Sequence, residues 1–182
     1  KIGRYKDRDR YLSVSLDIVD EMNQIVLEIL SLSSVQELAG DKEWIQLDQV
    51  LEQILDQYKV LAQSRSLTID NQIPAKPVYM DPAILKLVLS NVISNAVKHS
   101  DAGGEIQLRL EEEGTHLAVE NTSQEMVETA EMPMTASRQK KEGGLGLFVV
   151  QHLLDHEELA YQFDKTAMGL RFRMELPKEP QE

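Results

Sequence analysis

The sequence contains no cysteine, which excludes a disulfide framework and a thiolate metal site and suits a reducing cytoplasm. Positive charge is also scarce: 19 Lys and Arg stand against 31 Asp and Glu, a formal net charge of -12. Nucleic-acid binding needs a basic face, so this balance argues against such a partner, and any anionic ligand has to be met by local cations. No stretch approaches the roughly 18 uninterrupted apolar residues of a spanning helix. No charged-then-apolar signal opens the chain either. It begins at Lys1, without Met and inside a helical pattern, so a piece of a longer protein is expected. Several catalytic signatures are missing too. There is no Ser/His/Asp arrangement, and His152 and His156 in HLLDH lack the Glu of the HExxH type. Asp81, Glu105 and the acidic run 111–113 show no paired-carboxylate spacing and read as caps and turns.

What is present is enough for a globular core: 42% of the 182 residues are hydrophobic. Residues 7–38 contain neither Pro nor Gly, and Ile18, Met22, Ile25, Ile29 and Leu32 recur at heptad spacing. Val19, Val26 and Leu30 widen that face, which predicts a helix destined for a bundle. AGDK at 39–42 is a hinge, and the expected division is residues 1–39 as a bundle helix and 40–182 as a second unit. In that unit EWIQL reads as a short strand, and Asp48 is expected to cap a helix carrying Val50, Leu51, Ile54, Leu55, Tyr58 and Leu61. LTIDNQI and PVYM are strand candidates, and Asp81-Pro82 starts a helix that ends near His99. EIQLRL and THLAVE around EEEG form a hairpin. Residues 122–142 read as a long polar loop, GGLGL opens a further helix through Leu154, and AYQFD and LRFRMEL supply two last strands. The sum is an α+β unit in which helices cover a mixed or antiparallel sheet.

Two stretches carry chemistry. In NVISNAVKHS at 91–100, Asn91, Asn95, Lys98 and His99 fall on one helical stripe, while Leu85, Leu89, Val92, Ile93 and Ala96 form a packing face. Neutral amide oxygens suit a magnesium ion whose remaining ligands are water and phosphate, with Asn95 the chosen metal ligand. Lys98 is a mobile point charge suited to phosphate, and His99 is placed to meet phosphate, sugar or base. A helix with a solvated polar side fits the same four residues. In KKEGGLGL at 140–147, glycines let backbone N–H groups approach an anion ahead of a helix start. No GK[ST] follows, and Val149 stands where a dinucleotide fingerprint has its third glycine. Arg138, Lys140 and Lys141 are the cations an acidic chain needs near a triphosphate; as a charge run they also fit a solvated surface.

In this order, the Asn-rich helix, the hairpin, the loop and GGLGL resemble the catalytic ATP-binding domain of sensor histidine kinases, which has the Bergerat type of ATP site. The preceding heptad helix resembles the second helix of that family's dimerisation and phosphotransfer bundle, and the chain is similar to the vancomycin-resistance-associated class within it. The resemblance spans residues 5–177. It implies an α/β sandwich of the histidine kinase-like ATPase fold, with Mg-ATP as the nucleotide. Asn91, Asn95, Lys98 and His99 would form the N box, with Asn95 on magnesium, and Gly143, Gly144, Gly146 and the adjoining Leu147 the glycine-rich box. The family's DxGxG box is replaced by ENTSQ, which puts Asn121 in the place of the adenine-binding Asp, and no Phe occurs between 122 and 142. None of His99, His116, His152 or His156 has the family's phosphoacceptor context, so the acceptor histidine is expected upstream of Lys1. The implied partners are ATP or ADP, a cognate response regulator and a second copy through the N-terminal helix. The implied location is the cytoplasmic side of a membrane-anchored parent. Two rivals stay open: a pseudokinase-like docking module without nucleotide, and an ATPase of the same fold.

Overall fold

The computed structural model describes residues 40–123 and 145–178. Within them the chain forms β1 (Glu43–Gln46), α1 (Leu47–Ser64), β2 (Thr68–Asn71), β3 (Pro77–Met80), α2 (Pro82–His99), β4 (Glu105–Glu111), β5 (His116–Thr122), α3 (Leu145–His156), β6 (Tyr161–Lys165) and β7 (Gly169–Glu175). β1 and β3 pair antiparallel as a small ribbon. The other strands form one sheet in the order β2-β4-β5-β7-β6, parallel at β2/β4 and antiparallel elsewhere. The sequence predicts a mixed or antiparallel sheet, and the β2/β4 pairing makes it mixed. The bundle helix expected at 7–38 and most of the loop at 122–142 lie outside the described residues.

Alternation along the strands sorts the sheet into two faces. Leu108, Val119 and Phe172 lie in cross-strand register and are buried, as are Leu117 and Met174 one step along. The opposite face is charged: Arg109 bridges to Glu120 at 3.0 Å, Thr166 donates to Glu120 at 2.6 Å, and Arg171 and Arg173 pair with Glu111 and Glu112. Among the described residues, helices therefore cover one side only. The β4–β5 hairpin closes through a 3-10 turn at Glu112–Gly114, whose three residues all take positive φ.

α2 is the centre of the helical layer. Asp81 caps it as predicted, with Oδ1 accepting from Ala83 N at 2.7 Å and Ile84 N at 3.2 Å. Pro82 sits at the first helical position, where its missing N–H costs nothing. Leu85, Leu89, Val92, Ile93 and Ala96 are buried as expected, and so are Ile84 and Val88, which share the stripe of the asparagines. α1, α3 and β5 all contact this helix, which explains burial around most of its circumference.

One expected cap is corrected. Asp48 does not precede α1, because the helix starts at Leu47 after an extended Gln46 with no side-chain cap. The Leu47 N–H donates instead to Lys76 O at 2.9 Å, so a neighbouring backbone carbonyl meets that donor while the Leu47 side chain is fully buried. Asp48 becomes a first-turn carboxylate, favourable at the positive end of the helix, and accepts from Lys76 N at 3.4 Å.

The hinge is tied down at two points. Gly40 N donates to Asp81 Oδ2, and Lys42 Nζ lies 2.9 Å from Glu157 Oε2, a carboxylate only 5% exposed just past α3. Asp81, itself 2% exposed, thus serves α2 with one oxygen and the hinge with the other. Among the described residues no helix is long and apolar enough to cross a membrane. Removing the carboxylate by Asp81→Ala is expected to cost about 1–3 kcal/mol of stability in urea unfolding, because it orphans buried donors. Asp81→Asn, which keeps a capping oxygen but offers Gly40 only an N–H group, should lose less.

Candidate functional site

The C-terminal half of α2 carries the predicted polar stripe, with Asn91, Asn95 and Lys98 half-buried and His99 exposed. Asn91 is fixed by its own helix: Nδ2 donates to Leu87 O at 2.8 Å. That bond leaves its Oδ1 turned toward the start of α3. Gly146, the second residue of α3, is buried against it. A Cβ built on Gly146 would stand 2.8 Å from Asn91 Oδ1 and 3.5 Å from Asn95 Nδ2. Even a methyl group there would collide with Asn91, so the start of α3 packs directly on the asparagines. The structure therefore joins two stretches that are about 50 residues apart in sequence.

Two amide nitrogens in this region have no hydrogen-bond partner among the described residues. Asn95 Nδ2 is buried without a hydrogen bond, and so is Asn121 Nδ2. An unmet buried donor costs on the order of 1–3 kcal/mol, so each such group calls for an explanation. Asn121 is 5% exposed and ends the buried part of β5, between Ile106 of β4 and Leu170 of β7. It shares the face of Leu117 and Val119, and hence points into the helix-covered side. The start of β7 crowds its backbone: a Cβ on Gly169 would come within 2.1 Å of Asn121 O. Only glycine permits that approach. A glycine at the first position of a strand was the available signal for it, and it was missed.

The end of α2 has a further anchor that the sequence did not reveal. Arg65 donates from Nη1 to Val97 O at 2.9 Å and to Lys98 O, and from Nη2 to Ser100 O at 2.7 Å. Ser100 Oγ adds a bond to Ala96 O at 2.5 Å. The chain then turns, and Asp101 N donates to Thr122 O at 2.9 Å, tying this corner to the residue after Asn121.

The other sequence candidates divide. Leu147 follows Gly146 on α3 and is half-buried. Arg138, Lys140, Lys141, Gly143 and Gly144 lie outside the described residues. His152 and His156 are both exposed; His152 stacks on Phe148 and His156 lies 3.4 Å from Glu157, so they do not form a ligand pair. Among the described residues no group of three His, Asp or Glu is arranged to hold a metal ion.

Comparison with known proteins finds relatives over nearly the whole chain. The sensor histidine protein kinase HK06 of Streptococcus pneumoniae is 32% identical over 96% of this chain, and the sensor protein VanSB of Enterococcus faecalis is 30% identical over 97%. The chain spans 41% and 42% of their lengths. Among solved structures, the histidine kinase AdeS of Acinetobacter baumannii superposes with a TM-score of 0.68 at 21% identity, covering 96% of this chain and 87% of that one. The cytoplasmic segment of the histidine kinase QseC gives 0.65 at 18% identity, over 88% and 95%. At these identities the superpositions establish a shared fold. Residues 80–180, more than half of the sequence and the span from α2 to the last strand, match the family described as histidine kinase-, DNA gyrase B-, and HSP90-like ATPase, and the chain belongs to that family.

Proposed function

We propose that the chain is the catalytic, Mg-ATP-binding part of a two-component sensor histidine kinase, which donates the γ-phosphoryl group to a histidine outside this sequence. The observation that carries the reading is Gly146 packed so closely on Asn91 and Asn95 that a side chain there would collide with Asn91, which brings the glycine-bearing start of α3 onto the polar stripe of α2. The relatives support it, since those named above are sensor proteins or histidine kinases. A response regulator as the next acceptor, self-association through residues 1–39 and a cytoplasmic position in a membrane-anchored parent belong to the same proposal.

The residues fit the group. Asn95 would hold a nucleotide-bound magnesium ion through its amide oxygen, one protein ligand being enough for such an ion, and the charge neutralisation at the phosphates would come from the metal. The unpartnered Asn95 Nδ2 is consistent with an amide whose companions are not protein atoms. Asn91 is held by Leu87 O and keeps its oxygen toward the site. Lys98 and His99 extend the stripe toward phosphate and nucleoside, and Arg138, Lys140 and Lys141 add the cations that a chain of net charge -12 needs around a triphosphate. Gly146 and Leu147 stand at the start of α3, and with Gly143 and Gly144 of the same glycine-rich stretch they would offer backbone N–H groups to the phosphates. Asn121 replaces the carboxylate that accepts the adenine amino proton in the resembling family. Its amide oxygen is an equivalent acceptor without the charge.

Titration with ADP or ATP, with and without magnesium, tests the whole reading. Binding should tighten with magnesium, and Asn95→Ala should remove most of that dependence. Equal affinities for both proteins at every magnesium concentration would refute the ligand role of Asn95, and a wild type that binds no nucleotide would favour a docking module instead. At the base end, Asn121→Leu should weaken binding by on the order of 1–3 kcal/mol, the cost of a lost buried polar partner, while Asn121→Asp should preserve or strengthen it. An unchanged Leu variant would place the base elsewhere. With labelled ATP the chain alone should form no acid-labile phosphohistidine, since none of its four histidines has an acceptor context. Supplying the parent's acceptor helices should restore labelling.

A further inference from the structure

An α-helix ends with about four carbonyls that have no N–H partner and carry partial negative charge. In α2 those carbonyls belong to the turn that also carries Lys98 and His99, so without compensation the negative helix end would stand close to a phosphate held by those residues. Arg65 provides the compensation. Its planar fork reaches Val97 O, Lys98 O and Ser100 O together, two of these contacts measuring 2.9 and 2.7 Å. The backbone of Arg65 is itself held on both sides: its N–H donates to Leu61 O and Ala62 O at the end of α1, and its carbonyl accepts from Gly103 N at 2.9 Å. A fixed guanidinium therefore grips the end of a second helix.

We propose that Arg65 is a positioning residue for nucleotide binding: by clamping the last carbonyls of α2 it sets Lys98 on the phosphate side of the site and offsets the negative helix end beside it. This inference rests on the nucleotide reading above. Arg65 touches no nucleotide itself and acts through α2. A lysine in its place keeps the charge but has a single ammonium, which cannot reproduce the planar two-nitrogen grip on three carbonyls.

The two contributions, and a purely structural role, separate by ligand. Adenosine carries no phosphate, so Arg65→Ala should leave adenosine affinity within about twofold while weakening ATP by roughly tenfold, or about 1.4 kcal/mol. Arg65→Lys should fall between wild type and Ala. In a Lys98→Ala background, Arg65→Ala should add little further loss, because two residues acting through one contact are not additive. If Arg65→Ala folds poorly, Arg65→Lys and amide hydrogen exchange across residues 97–104 give the same discrimination, with faster exchange confined to that corner. Equal losses for adenosine and ATP, or full additivity with Lys98→Ala, would reduce Arg65 to general stability and overturn the proposal. So would a wild type that binds ATP alongside Arg65 variants that bind it equally well. A wild type that binds no ATP would overturn the nucleotide reading first, and this role with it.

Discussion

The described structure depends on burying α2 around most of its circumference. A helix in that position packs against α1, α3 and the sheet at once, and each fully buried large side chain contributes about 1.5–3 kcal/mol relative to exposure. The same burial constrains its polar residues. Asn91 meets the constraint through Leu87 O, Ser100 through Ala96 O, and the last carbonyls through Arg65. Asn95 Nδ2 has no such partner among the described residues.

The sheet solves a different problem with its uncovered face. Among the described residues helices lie on one side only, so the other side carries a ladder of Arg109 and Glu120, with Arg171 and Arg173 reaching Glu111 and Glu112 beyond it. These pairs keep a broad flat surface polar. Partly exposed ion pairs add little stability individually, so their use here is to keep the face hydrated and to fix strand register against the alternative in which apolar residues turn outward.

Much of this was legible in the sequence because it is local. Asp81 followed by Pro82 and an apolar run carries its own start signal, and the Asp81 cap is found as expected. Alternation gave the β4–β5 hairpin, and the turn residues gave its closure. The stripe of Asn91 and Asn95 was readable for the same reason, as spacing within one helix. What failed was non-local. Asp48 had the chemistry of a cap, yet the backbone of Lys76 supplied the partner to Leu47 instead. Arg65 acts on carbonyls more than 30 residues away, and backbone carbonyls leave no trace in side-chain pattern. Gly169 signals a close approach by opening a strand, but its partner Asn121 is set by sheet order, which short-range pattern does not encode.

The tie between the hinge and Asp81 has a mechanical consequence. From Asp81 to Lys98 is about 25 Å along one helix at about 1.5 Å per residue. Asp81 binds the hinge at one end of this rod, Arg65 grips the other, and Lys42 reaches the far end of α3 through Glu157. Residues 40–42 are thereby tied to two helices at once, through Asp81 to the start of the helix that carries the asparagines and through Lys42 to the end of α3.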